Sequence, residues 1–224
     1  MKEDNTQVKS MVYDLYDDES TEQGRWLQHG IKGKEVDIGV LPINVNSSEL
    51  HIYPINSMNQ TDDMEVIIGT EVLIFGFPIE KYFTDMLAIC TRGIVSSEPD
   101  LQVGSWGDKF LIHAYTFKGM SGSPVIIRQK IFSDTNGNLN CVSGGYATKF
   151  LGIYSGRHTD TKLEEDIRNA LDNLKLDPTY KTLAKPLEEV LTGKNAVGLG
   201  VVWKKHLIDE IIDNGIMHNS LSSW

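Results

Sequence analysis

Residues 119–124 read Gly-Met-Ser-Gly-Ser-Pro and run directly into the apolar stretch Val125-Ile126-Ile127. A serine set between two glycines ahead of a strand can stand on a sharp bend with its Oγ exposed, because glycine tolerates backbone angles that other residues resist. The same bend can aim the N–H groups of Gly119 and Ser121 at one point. Two such donors stabilise the oxyanion that forms when a hydroxyl attacks an acyl carbon. A Gly/Ser/Pro turn joining two strands would also read this way. The Gly-x-Ser-x-Gly elbow of α/β-hydrolases is excluded, because position 123 is Ser.

Nucleophilic serine chemistry of the Ser-His-Asp kind also needs a carboxylate that orients an imidazole. Val36-Asp37-Ile38-Gly39-Val40-Leu41 sets a single Asp in an apolar strand pattern. Asp37 is a candidate for that role, and a turn-capping Asp after Lys32-Gly33-Lys34 is the alternative.

Taken together, these segments resemble the trypsin-like (chymotrypsin-fold) serine peptidases, especially their bacterial and phage intracellular branch. Further stretches resemble the family in family order: Val72-Leu73-Ile74-Phe75-Gly76-Phe77-Pro78, Thr91-Arg92-Gly93-Ile94-Val95-Ser96-Ser97, Leu151-Gly152-Ile153-Tyr154-Ser155-Gly156-Arg157 and Gly198-Leu199-Gly200-Val201-Val202-Trp203. The resemblance covers most of residues 26–213. It implies a mostly β protein of two antiparallel β-barrels, the first incomplete, with a helical insertion and a C-terminal helix. It also implies Ser121 as nucleophile, Asp37 as its distal carboxylate, and Gly119 and Ser121 as oxyanion donors.

The resemblance further implies where a substrate binds. Tyr115, six residues before the nucleophile, takes the position of the pocket floor. The backbone of Tyr154, Ser155 and Gly156 pairs with an extended peptide as an added strand. Arg157 follows that strand and attracts an acidic residue, or else is a solvated turn residue. An uncharged or acidic side chain before the cut is expected, rather than Lys or Arg.

The base has no clear place. The family order is His, Asp, Ser, and His29 is the one histidine preceding Asp37. It sits in Trp26-Leu27-Gln28-His29-Gly30, close to the Asp, where a hairpin could join them; an exposed turn histidine is the other reading. His51, His113, His158, His206 and His218 lie in other contexts. His113 could line the pocket, and His158, His206 and His218 read as surface residues. A chain that starts at an internal Met, without the strands carrying the base, is the simplest expectation. Two functions therefore stand: a serine endopeptidase acting through a Ser121 acyl-enzyme, or an inactive peptidase-fold binding or scaffold protein.

The elements that must position these residues follow from patterning. Residues 1–65 read as an acidic leader with a partial N-terminal barrel, and residues 66–215 as a C-terminal barrel carrying the nucleophile loop. Residues 64–158 alternate strand runs with Gly, Pro and Asn turns, and Asn136-Gly137-Asn138 is a hairpin turn. Residues 159–195 read as a helical insertion opened by the capping box Thr161-Lys162-Leu163-Glu164. A last helix is expected over about 204–213, with Leu207, Ile208, Ile211 and Ile212 inward and Gly215 as its stop. Residues 216–224 read as a tail.

Composition narrows the partners. The 224 residues carry 31 acidic and 21 basic side chains, a formal charge of −10. That balance argues against nucleic acid and anionic membranes. No apolar run of about 18 residues suggests a membrane span, and the polar start lacks a signal-peptide pattern. Cys90 and Cys141 are too few for a disulfide scaffold or metal site, and Cys90 reads as a buried thiol in a reducing compartment. The sequons at Asn46 and Asn59 read as chance. Gly193-Lys194 lacks the earlier glycine of a phosphate loop, since position 188 is Glu. A peptide or protein substrate, no cofactor and a cytoplasmic location are expected; oligomeric state is not legible.

Overall fold

The computed structural model describes residues 12–16, 23–44, 54–55, 60–78, 88–101, 107–157 and 198–219. The expected insertion at 159–195, its capping box, His51 and His158 lie outside the described residues. Ten strands and one helix occur among those described: β1 (Gln23–Gln28), β2 (Glu71–Gly76), β3 (Ile89–Val95), β4 (Lys109–Ala114), β5 (Ser123–Gln129), β6 (Ile131–Ser133), β7 (Leu139–Cys141), β8 (Ala147–Arg157), β9 (Leu199–Lys204), α1 (Lys205–Asn214) and β10 (Ile216–Asn219).

Six of these strands close an antiparallel barrel in the order β2-β3-β4-β9-β8-β5. Closure follows from the side-chain period of two: each strand sends alternate residues to one interior. Val72 and Ile74 on β2, Val95 on β3, Phe110, Ile112 and Ala114 on β4, Val125 and Ile127 on β5, Tyr154 on β8 and Val202 on β9 fill it, with Met64 and Met120 as plugs. Branched and aromatic side chains in a period-two pattern suit such a surface. The next residue of β9, Trp203, points the other way. It packs with Val36, Ile38, Leu207 and Ile211 in a second cluster, and this cluster seats the segment bearing Asp37 against the outside of the barrel.

Parity also decides the cysteines. Ile74 of β2 stands opposite Thr91, and Phe75 opposite Cys90. Since Ile74 is fully buried, its partner Thr91 faces inward and Cys90 faces out. Cys90 is therefore exposed, and so is Cys141, which corrects the expectation of a buried thiol. Partial desolvation still raises the Cys90 thiol pKa, and Arg92 opposes that rise. Thr91 bears the consequence: its Oγ1 is the one buried side-chain polar atom without a hydrogen-bond partner among the described residues.

An unmet buried hydroxyl costs about 1–3 kcal/mol. Thr91→Val keeps the branched shape and removes the hydroxyl, so it should raise stability by about 1 kcal/mol. Urea denaturation reads this as a higher midpoint at an unchanged slope. An equal or lower midpoint would mean that the hydroxyl is already paired.

The hairpin β6–β7 forms around the expected Asn-Gly turn. The Asp134 carboxylate accepts the backbone N–H groups of Asn136 and Asn138 and the amide nitrogens of Asn138 and Asn140. Helix α1 runs where expected and buries Leu207 and Ile211. Ile208 packs against the same cluster as expected, whereas Ile212, expected inward, is exposed. The expected tail also differs: Ile216–Asn219 pairs with β1 as a two-stranded antiparallel sheet. Residues 23–44 hold β1, a bridge between Leu27 and Val40, and turns; the described residues close one barrel.

Candidate functional site

The loop from Tyr115 to Gly122 leaves β4 and returns into β5. Met120 is completely buried and anchors the loop from beneath. Its N–H donates to the Phe117 carbonyl, and its own carbonyl accepts the Ser123 N–H. Glycines at φ 94° (Gly119) and 86° (Gly122) flank the anchor; few other residues adopt these angles without strain. Between them Ser121 is exposed, on a sharp bend as its neighbours suggest. The Gly122 N–H donates to the Tyr154 carbonyl and clips the bend to β8. Among the described residues, neither the Gly119 nor the Ser121 N–H has an acceptor.

β8 supplies the floor. A β-bulge interrupts its ladder with β9: Tyr154 pairs with Val202 and Gly156 with Val201, so Ser155 is the extra residue. A bulge re-aims the side chain it carries. Here the Ser155 hydroxyl donates to the Asp37 carboxylate, Oγ to Oδ2, at 3.0 Å. The next residue, Gly156, lies under the Ser121 loop: a methyl carbon built on it would stand 3.9 Å from Ser121 Oγ. Two residues far apart in sequence, Asp37 and Ser121, thus reach adjacent residues of one strand. Asp37 is exposed rather than buried.

The same strand organises a polar cluster beside Ser121. Thr116 and Tyr154 are both buried and share a hydroxyl–hydroxyl hydrogen bond of 2.7 Å. Arg157 ends β8 and donates from Nη2 to the Thr116 carbonyl at 2.7 Å. Burial pushes the Tyr154 phenol pKa up, while the Thr116 bond and the Arg157 charge pull it back. The Tyr154 ring lies against Gly200, where a Cβ would come within 2.4 Å of Cε2. Tyr115, expected as pocket floor, is instead an exposed ring packed edge-on to Phe117; Thr116, one residue on, holds the inward position because β4 and its extension alternate.

The histidines fall elsewhere. His29 is buried, not exposed. Its Nδ1 accepts the N–H groups of Ile31 and Lys32, which fixes the proton on Nε2, and Nε2–H donates to Glu210 at 2.8 Å. Both ring nitrogens are committed to the turn and to α1, so His29 is not joined to Ser121 or Asp37 as a base would be. His218, expected at the surface, is buried too: it stacks on Trp26 with ring centres 4.5 Å apart and bonds Gln28. His206 is exposed and lies 3.4 Å from Asp108. His113 faces outward and packs against Gly198. No described histidine hydrogen-bonds Ser121.

Among the described residues, no group of three or more His, Cys, Asp or Glu side chains is placed to hold a metal ion. No helix among them is long and apolar enough to cross a membrane. In comparisons with known proteins, the chain matches no family model and no curated sequence.

Proposed function

We propose that this chain carries the acyl-transfer site of a trypsin-like serine endopeptidase. The observation that carries the reading is the meeting on β8 of Asp37, bonded to Ser155, with Ser121, which stands over Gly156. In this reading residues 23–44 belong to the first of two barrels. A peptide lies along β8 beyond Tyr154, where β5 no longer pairs with it, and adds itself as a strand.

Ser121 Oγ attacks the peptide carbonyl carbon and its proton passes to an imidazole. The oxyanion is taken by the Gly119 and Ser121 N–H groups. Collapse expels the amine, which takes the proton, and leaves an ester on Ser121 that water hydrolyses. Asp37, held by Ser155, orients the imidazole and stabilises its charged form.

The imidazole is the part that no described histidine supplies, and this favours a second reading: a peptidase-fold protein that binds peptides without cutting them. A fluorophosphonate separates the two. Ser121 Oγ displaces fluoride from phosphorus and loses its proton to a base. Labelling of Ser121 should be slow in buffer and rise at least about tenfold with added imidazole, as a general base contributes about 10²–10⁴-fold. Labelling that stays negligible in imidazole, or that falls on another serine, would favour the non-catalytic reading.

A further inference from the structure

We infer that the cleft beside Ser121 takes an acidic side chain, recognised by Arg157. This inference rests on the peptide-cleft reading above and deepens it.

Arg157 is held by a backbone carbonyl. Its Nη2 donates to a neutral backbone carbonyl, that of Thr116, and no described carboxylate lies within ion-pair reach of it. Lys32 pairs with Asp108, Arg92 with Glu71 and Lys205 with Asp209, whereas Lys149 and Lys204, like Arg157, donate to backbone carbonyls. The carbonyl bond orders the side chain, and among the described residues no carboxylate offsets its charge.

Position supplies the second argument. Arg157 follows Gly156, the residue beneath Ser121 Oγ, and its backbone is paired to Gly200. The guanidinium therefore stands beside the loop on which the acyl carbon must sit. Its charge reaches the buried Tyr154 hydroxyl, which is hydrogen-bonded to Thr116. A guanidinium carries five N–H donors in a planar fork. With one spent on Thr116, the fork retains enough donors to receive a carboxylate through two parallel bonds. The exposed position 115 holds Tyr, which offers no charge to a Lys or Arg side chain.

The test uses fluorescently tagged peptides of one sequence that differ only in the last residue, Glu, Asp, Gln or Lys, titrated against the full chain. Peptides ending in Glu or Asp should bind at least about tenfold tighter than the Gln peptide, the range of one charge-assisted hydrogen bond. Arg157→Gln should remove the difference, and Arg157→Glu should turn the preference toward Lys. Because the Arg157 side chain is exposed, thermal melts of both variants should match the parent, which keeps a folding defect apart from a binding one. Equal binding of Glu and Gln peptides, or a Glu preference that survives Arg157→Gln, would overturn the inference. If no peptide binds while Ser121 still reacts with fluorophosphonate in imidazole, the inference alone falls. If both fail, the peptide-cleft reading falls and takes the inference with it.

Discussion

Ser121→Ala should abolish imidazole-dependent phosphonylation, a loss of at least about 10³-fold, because it removes the hydroxyl that attacks phosphorus. Asp37→Asn should keep the nucleophile and still slow the labelling by about 10²-fold, since an amide stabilises an imidazolium poorly. The two effects differ in kind. The first removes the bond-forming atom, so extra imidazole restores nothing. The second weakens the hold on the base, so raising imidazole should recover part of the rate. Intact-mass spectrometry over time gives both rates, and thermal melts show that neither exposed substitution unfolds the protein. An Asp37→Asn rate equal to the parent would detach Asp37 from the chemistry and leave it as a partner of Ser155 alone.

What the sequence disclosed follows the range of the physics involved. The Ser121 loop is local: two glycines, an intervening Met-Ser and a Pro restrict the backbone within six residues, so the exposure of Ser121 could be read directly. The barrel strands were legible for a related reason. Val72 and Ile74, or Ile112 and Ala114, alternate with outward residues inside a single run. Pairing between runs was less visible. Whether Cys90 or Thr91 faces inward depends on which of them meets Ile74, and that register is set by a neighbouring strand. The bulge at Ser155 arises from the match of β8 to β9, so the Ser155–Asp37 bond left no mark in either segment. His29 and His218 misled for another reason. A polar residue among apolar ones looks exposed unless its partners are known, and those partners are two turn amides with Glu210 in one case, and Trp26 with Gln28 in the other. The strand Ile216–Asn219 is four residues long and gains its partner, β1, from the far end of the chain.

Gly152→Ala should be the most damaging single methyl addition on the barrel. Gly152 has φ 153°, a region that residues with a Cβ avoid. A Cβ there would stand 1.8 Å from the Trp203 carbonyl oxygen and 3.1 Å from Lys204 Cα. Those atoms are backbone of the paired strand β9, so no side-chain rotation relieves the clash; β8 must move away from β9. Strain of about 1–3 kcal/mol and overpacking of about 1–3 kcal/mol add to a cost of about 2–6 kcal/mol. For a chain of this size that lowers Tm by roughly 4–24 °C at about 2–4 °C per kcal/mol. Gly144→Ala is the control, since a Cβ on Gly144 meets nothing within 4 Å; it should change stability by no more than about 0.5 kcal/mol. The damage should also reach the site. The bulge that aims Ser155 at Asp37 lies three residues along β8 and depends on the same contact with β9, so phosphonylation of Ser121 should slow even below the melting transition. Melting curves of Gly152→Ala and Gly144→Ala that coincide would mean that β8 and β9 do not approach as closely as this. The bulge would then lose the support that joins Asp37 to Ser121.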